Sequence, residues 1–158
     1  MSRHASLKEK VRLEVDARRH ELVDLSLRIH GHPETAFQER QACRWLSDYL
    51  ESHGFRVERG ICGLETAFRA TYGSGGPHIA FLAEYDALPG IGHGCGHNII
   101  GTASVGAGVA VRPAVEALGG TVYVIGTPAE EVAGGKVIMA RRGAFDGLDC
   151  AMLVHPGS

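Results

Sequence analysis

The order of patterns along this chain predicts an α/β fold whose sheet contains parallel pairs. Three observations carry that prediction. Apolar residues recur at helical spacing before residue 54, short apolar runs dominate afterwards, and a Gly/Ala/Val-rich helical segment separates two of those runs. At 158 residues the chain is long enough for one domain with a real core. Its 44% apolar and 22% charged content is ordinary for a soluble globular protein.

Taken in order, Ser6-Leu7-Lys8-Glu9 matches a capping box, and Val11, Val15, Leu22, Leu25 and Ile29 follow at helical spacing. One helix is expected to run to about Ile29, stopped by Gly31 and Pro33. A second capping box, Thr35-Ala36-Phe37-Gln38, opens another helix with Phe37, Trp45, Leu46, Tyr49 and Leu50 on its core face and Gly54 at its end. His30-Gly31-His32-Pro33-Glu34 between them reads as a linking turn rather than a metal cluster. Residues 55–57 and 66–70 read as short strands, and 79–82 as a buried one. Gly73-Ser74-Gly75-Gly76-Pro77 is a turn expected to join two antiparallel strands.

Residues 98–118 form a helix so rich in Gly and Ala that close approach to a sheet or helix is needed to offset about 1 kcal/mol per glycine. Pro113 kinks or restarts it. Residues 121–127 are the clearest strand, followed by Pro128-Ala129-Glu130-Glu131, a double glycine and a short helix over about 136–142. Residues 150–154 form a last strand running into His155-Pro156-Gly157.

Net charge is −2 and basic residues are not clustered, which argues against a nucleic-acid surface. The longest weakly polar stretch, residues 99–111, is too short and Gly-rich to span a bilayer, so no membrane partner is expected. Met1-Ser2-Arg3-His4 leads into a charged segment without an apolar core, so no signal peptide is expected. Cys43, Cys62, Cys95 and Cys150 lack paired spacing, which favours a reducing, cytoplasmic setting over a disulfide scaffold. Cys43, Cys62 and Cys150 read as packing residues.

The stretch Ala83-Glu84-Tyr85-Asp86-Ala87-Leu88-Pro89-Gly90-Ile91-Gly92-His93-Gly94-Cys95-Gly96-His97-Asn98 organises the rest. Thiolate and imidazole suit the same borderline-soft ions, and Gly96 lets the backbone bend so that Cys95 and His97 converge. Three strands are each followed by metal-competent side chains: 79–82 by Glu84, Asp86, Cys95 and His97, 121–127 by Glu130 and Glu131, and 150–154 by His155. Parallel strands would bring all three groups to one rim, beyond the carboxyl ends where ligands bind in open sheets. Each residue also has a plain structural role. Cys95 can be a buried small residue, Glu130-Glu131 a solvated first helical turn, His155 a capped strand end, and His93 either a ligand or a loop-stabilising hydrogen-bond partner. Adjacent glutamates rarely aim at one point, so one can ligate while its neighbour handles the proton of a water activated by the ions.

Glu84-Tyr85-Asp86-Ala87-Leu88-Pro89, Gly92-His93-Gly94-Cys95-Gly96-His97-Asn98, Thr127-Pro128-Ala129-Glu130-Glu131 and His155-Pro156 together resemble the dimetal amidohydrolase branch of the aminoacylase/carboxypeptidase G metallopeptidase family. Within it the motif variant is most similar to the p-aminobenzoyl-glutamate hydrolase-like and Xaa-Arg dipeptidase-like members. The resemblance implies a three-layer α/β/α zinc-exopeptidase-like fold with a mixed, mostly parallel sheet. It implies Cys95, bridging two ions, with His97, Glu131 and His155 as metal ligands, Glu130 as general acid/base, and Asp86 assisting catalysis by orienting a ligand such as His97. Two divalent ions are implied, zinc first, with manganese or cobalt compatible. The substrate would be a small N-acyl amino acid or dipeptide, and the full-length protein a homodimer. Family members are longer, with an inserted dimerisation domain and a further ligating histidine. Residues 1–158 are therefore expected to be the N-terminal part of the catalytic domain, an incomplete domain without that insertion. The rival expectations are a metal-binding or interaction module without turnover, and a purely structural Cys-His loop.

Overall fold

The computed structural model describes residues 3–157. Met1, Ser2 and Ser158, which enter the reading of the two ends, lie outside them. The chain opens on two helices where one was expected, α1 (Arg3–Ala17) and α2 (Arg19–His30). Ser6 lies inside α1, so its capping box does not mark the helix start. The break falls at Arg18 because its guanidinium takes the Glu14 carbonyl at 3.0 Å, and its own N–H turns back to Val15 O at 3.1 Å.

Helix α3 (Arg40–Ser52) begins five residues later than the Thr35 box implies. Phe37 has φ 61°, outside the helical region, so the chain cannot be helical there. The Glu34 carboxylate caps α3 instead, accepting the N–H groups of Gln41 and Ala42 at 2.9 and 3.0 Å. At the other end Gly54, at φ +85°, lets Phe55 N close back on Leu50 O at 3.1 Å.

A five-stranded mixed sheet follows: β1 (Arg56–Arg59), β2 (Phe68–Ser74), β3 (His78–Ala83), β4 (Gly120–Gly126) and β5 (Cys150–Met152), in spatial order β1-β2-β4-β3-β5. β3, β4 and β5 are mutually parallel, and β1 and β2 pair antiparallel on the other side. The Gly73–Pro77 turn therefore corrects one expectation. It links strands of opposite direction that are not neighbours, because β4 inserts between them.

Two apolar layers lie on opposite faces. Phe68, Ala70, Val122 and Val124 face Leu25, Ile29, Leu46, Leu50, Val105 and Val109 of α2, α3 and the next helix, α4 (His97–Ala110). Ala80 and Ile125, offset by one residue along the same strands, face Met139 and Ala144. Arg112 and Pro113 restart the chain as α5 (Arg112–Leu118), as the proline suggests. The four-residue α6 (Glu130–Ala133) and α7 (Gly135–Arg141) follow β4. Among the described residues, no helix is long and apolar enough to cross a membrane.

The glycines of α4 are explained by contact. A Cβ at Gly108 would stand 2.4 Å from Val124 Cγ2, and one at Gly106 2.9 Å from Leu22 Cδ1. Gly→Ala normally stabilises a helix by about 1 kcal/mol. At Gly108 the sign reverses, because Val124 is a stiff, fully buried strand residue. Gly108→Ala is expected to lower stability by about 1–3 kcal/mol in denaturant unfolding.

All four cysteines are free thiols. Cys43 is core, as expected, whereas Cys150 is exposed on the edge strand and packs nothing. Burial pushes the Cys43 thiol from 9.0 to about 12, and it also raises the neighbouring, fully buried Tyr85. An acid raised in the fold adds stability below its unfolded pKa and loses it as pH climbs to the folded value. Stability is therefore expected to fall between about pH 9 and 12, and Cys43→Ala should flatten that alkaline limb in urea midpoints measured against pH.

Candidate metal centre

The carboxyl ends of β3, β4 and β5 lie on one border of the sheet because the three strands are parallel. Past β3 come Glu84, Tyr85 and Asp86, all at most 3% exposed. Tyr85 anchors this segment by donating its hydroxyl to Thr66 O at 2.5 Å. The loop then reaches Cys95, and Gly96, at φ +85°, turns it into α4 so that His97 is the first helical residue. Gly96 also permits a close approach, since a Cβ there would meet Pro156 Cγ at 2.9 Å. That contact brings the Cys95 loop against the chain beyond β5. Cys95 Sγ lies 3.4 Å from His155 Nε2, and the His97 and His155 rings stand 5.8 Å apart at 88°.

Past β4, Thr127 N donates to Ala83 O at 2.8 Å, and Ala129 adopts φ 59°, ψ 46° before Glu130 and Glu131 open α6. Asp86 joins the two segments. Its Oδ1 accepts from His97 Nδ1 at 2.9 Å, and its Oδ2 accepts from Glu131 N at 3.0 Å. With Nδ1 tied to Asp86, His97 directs Nε2 towards Glu84 Oε2 at 3.4 Å, Glu131 Oε1 at 3.5 Å and Glu130 Oε2 at 3.9 Å.

Two triads have donor atoms all within 4.8 Å of one another, Cys95–His97–His155 and His97–Glu130–Glu131. They share His97. Among the described residues, His97 Nε2, Glu84 Oε2 and Glu131 Oε1 are buried and have no hydrogen-bond partner. An imidazole nitrogen facing three carboxylates in a dry site requires a positive charge between them. Burial pulls the His97 pKa down, but Asp86, Glu84 and Glu131 outweigh it and raise it. Burial pushes Asp86 up, and the His97 ring with the Glu131 amide more than reverses this. The Glu131 carboxylate, with desolvation and Glu130, holds the Cys95 thiol up at about 11. The donor set is thus of the right chemistry for divalent ions: thiol, imidazoles and carboxylates around orphaned buried atoms.

Every residue singled out as a ligand, together with Glu130 and Asp86, falls in this one cluster. His93 does not join it. It is 9% exposed and, among the described residues, neither ring nitrogen has a hydrogen-bond partner, so neither of its two sequence readings is met. His32 and Glu34 serve the turn, His32 Nδ1 bonding Arg28 O at 2.8 Å. Three residues escaped assignment. Glu84 lies against His97 and also pairs with Lys136 of α7. Its place two residues before Asp86 was a usable signal, whereas nothing marks Lys136. Glu39, fully buried, accepts the Ala129 N–H from another part of the chain.

No family model matches the chain. It is 41% identical over 161 residues to a p-aminobenzoyl-glutamate hydrolase of Escherichia coli, an alignment covering 90% of this chain and 34% of that protein. It is 39% identical over 160 residues to the Xaa-Arg dipeptidase of Homo sapiens, covering 90% of this chain and 37% of that protein. The chain thus spans just over a third of the length of these curated relatives. Among solved structures it superposes on the Bacillus subtilis YXEP protein, described as a dinuclear metal-binding peptidase from the M20 family, with TM-score 0.78 and 28% identity over 86% of this chain and 42% of that one.

Proposed function

We propose that this chain, which belongs to the M20 family of dinuclear metal-binding peptidases, is the N-terminal part of a catalytic domain that hydrolyses the amide bond of an N-acyl amino acid or dipeptide. In this reading residues 1–158 supply Cys95, shared between two ions, with His97, Glu131 and His155 as ligands. The observation that carries it is the buried His97 Nε2, fixed by Asp86 and turned towards carboxylates with no donor between them.

When bound, divalent ions (zinc first, with manganese or cobalt compatible) would polarise the scissile carbonyl and make an attacking water more acidic. The chain's own residues do the rest. Glu130, whose side chain is 40% exposed against 16% for Glu131, is the carboxylate with access to solvent and substrate. It takes the proton from the attacking water and returns it to the departing amine. Asp86 holds the ring tautomer that leaves Nε2 free, and through the Glu131 amide it fixes the second triad. Asp86→Asn places an amide NH2 against one of those two donors whichever way it turns. It is expected to weaken metal affinity about 10–100-fold in chelator competition.

The names of the two curated relatives, a hydrolase of p-aminobenzoyl-glutamate and a dipeptidase of Xaa-Arg, support a small substrate carrying an amino acid. The full-length protein is proposed to be a cytoplasmic homodimer, on the resemblance of its motifs. The test is a chimera in which this chain is continued by the corresponding C-terminal region of the Escherichia coli relative. Amine release from p-aminobenzoyl-glutamate or an Xaa-Arg dipeptide with zinc, manganese or cobalt, abolished by chelator, is the expected result. A folded chimera that binds metal but cleaves neither would make this stretch a metal-binding module.

A further inference from the structure

Only three non-glycine residues among those described adopt positive φ: Phe37, Cys62 and Ala129. Two of them donate their N–H to a single atom. Glu39 Oε1 accepts from Phe37 N at 3.0 Å and from Ala129 N at 2.9 Å, while Glu39 Oε2 accepts from Thr66 Oγ1 at 3.0 Å. Glu39 is fully buried, so these bonds form away from water, where a charge-assisted bond is strong. A left-handed backbone is disfavoured for any residue with a Cβ and persists only when its surroundings impose it. At Ala129 the consequence is local, because the next two residues are Glu130 and Glu131. An extended or right-handed Ala129 would send both carboxylates in another direction.

Resting on the metal reading above, we infer that Glu39 is the positioning residue of the centre, its buried carboxylate holding Ala129 in the left-handed turn that aims Glu130 and Glu131 at His97. The turn is pinned elsewhere too: Gly135 N donates to Ala129 O at 3.1 Å, and Glu131 N donates to Asp86. Glu39 is the one side chain that grips the strained residue itself. It comes from the start of α3, 90 residues away, so the fold of the N-terminal helices is coupled to the aim of the ligands.

Amide hydrogen exchange on the metal-free chain tests this without relying on any ion. Glu39→Ala is expected to lose protection across residues 127–131 by about 10–100-fold more than α4 loses. Glu39→Gln should keep it, since its carbonyl oxygen still accepts both N–H groups and its NH2 can donate to Thr66 Oγ1. Glu39→Asp, too short to reach Ala129, should behave as Glu39→Ala and replaces it if the alanine variant does not fold. After cobalt loading, the d–d bands should change in the alanine or aspartate variant and match the parent in Glu39→Gln. A uniform loss of protection over the whole chain, or Glu39→Gln losing as much as Glu39→Ala, overturns the proposal. A parent chain that takes up no cobalt refutes the metal reading alone, and the exchange pattern then decides this one.

Discussion

In the chimera completed by a C-terminal region, Glu130→Ala is expected to lower kcat about 10²–10⁴-fold while leaving metal content unchanged. The reason is the division of labour in the first turn of α6. Glu131 lies closer to His97 Nε2 than Glu130 does, 3.5 against 3.9 Å, and is the more buried of the two. Glu131 therefore belongs to the ligand shell, and Glu130 to the space a substrate would enter. Glu130→Gln keeps the shape but cannot accept a proton, so it should fall as far as the alanine variant. Metal loss in either variant would make Glu130 a ligand, and retained turnover would assign the proton transfer to another group.

Cys95→Ala should weaken cobalt or zinc binding to the chain by on the order of a hundredfold or more, because a deprotonated thiolate is the strongest single donor here. This substitution separates binding from folding unusually well. Cys95 sits in a partly exposed loop outside both apolar layers, so the metal-free unfolding midpoint should stay within about 0.5 kcal/mol of the parent. His97→Ala cannot make that distinction. Its ring is completely buried and bonded to Asp86, so its removal leaves a cavity and an unpaired carboxylate. Unchanged affinity in Cys95→Ala would leave the loop a structural one.

Much of the centre was legible in the sequence because ligand-bearing residues follow apolar strands directly. Parallel pairing of β3, β4 and β5 then brings Cys95, His97, Glu131 and His155 together without any long-range information. The glycines of α4 were legible for a similar reason, since only a close neighbour offsets their cost, and Val124 and Leu22 are those neighbours. What escaped depends on distant partners. That β4 would insert between β2 and β3 is decided by residues more than 40 positions later. The capping boxes at Ser6 and Thr35 satisfy a local pattern, yet the left-handed Phe37 and the reach of Glu34 to Gln41 override the second. Glu39 carries no motif, and its importance appears only when Ala129 folds back onto it. Lys136 likewise becomes notable only when its ammonium meets Glu84.

Cobalt reports directly, on the chain as it stands, whether the Cys95–His97–His155 and His97–Glu130–Glu131 triads hold ions. The chain is stripped with chelator, loaded with cobalt and dialysed exhaustively. Retained cobalt with a near-ultraviolet thiolate-to-metal band that vanishes in Cys95→Ala is the predicted result. Cobalt lost on dialysis, or a spectrum indifferent to Cys95, would contradict it.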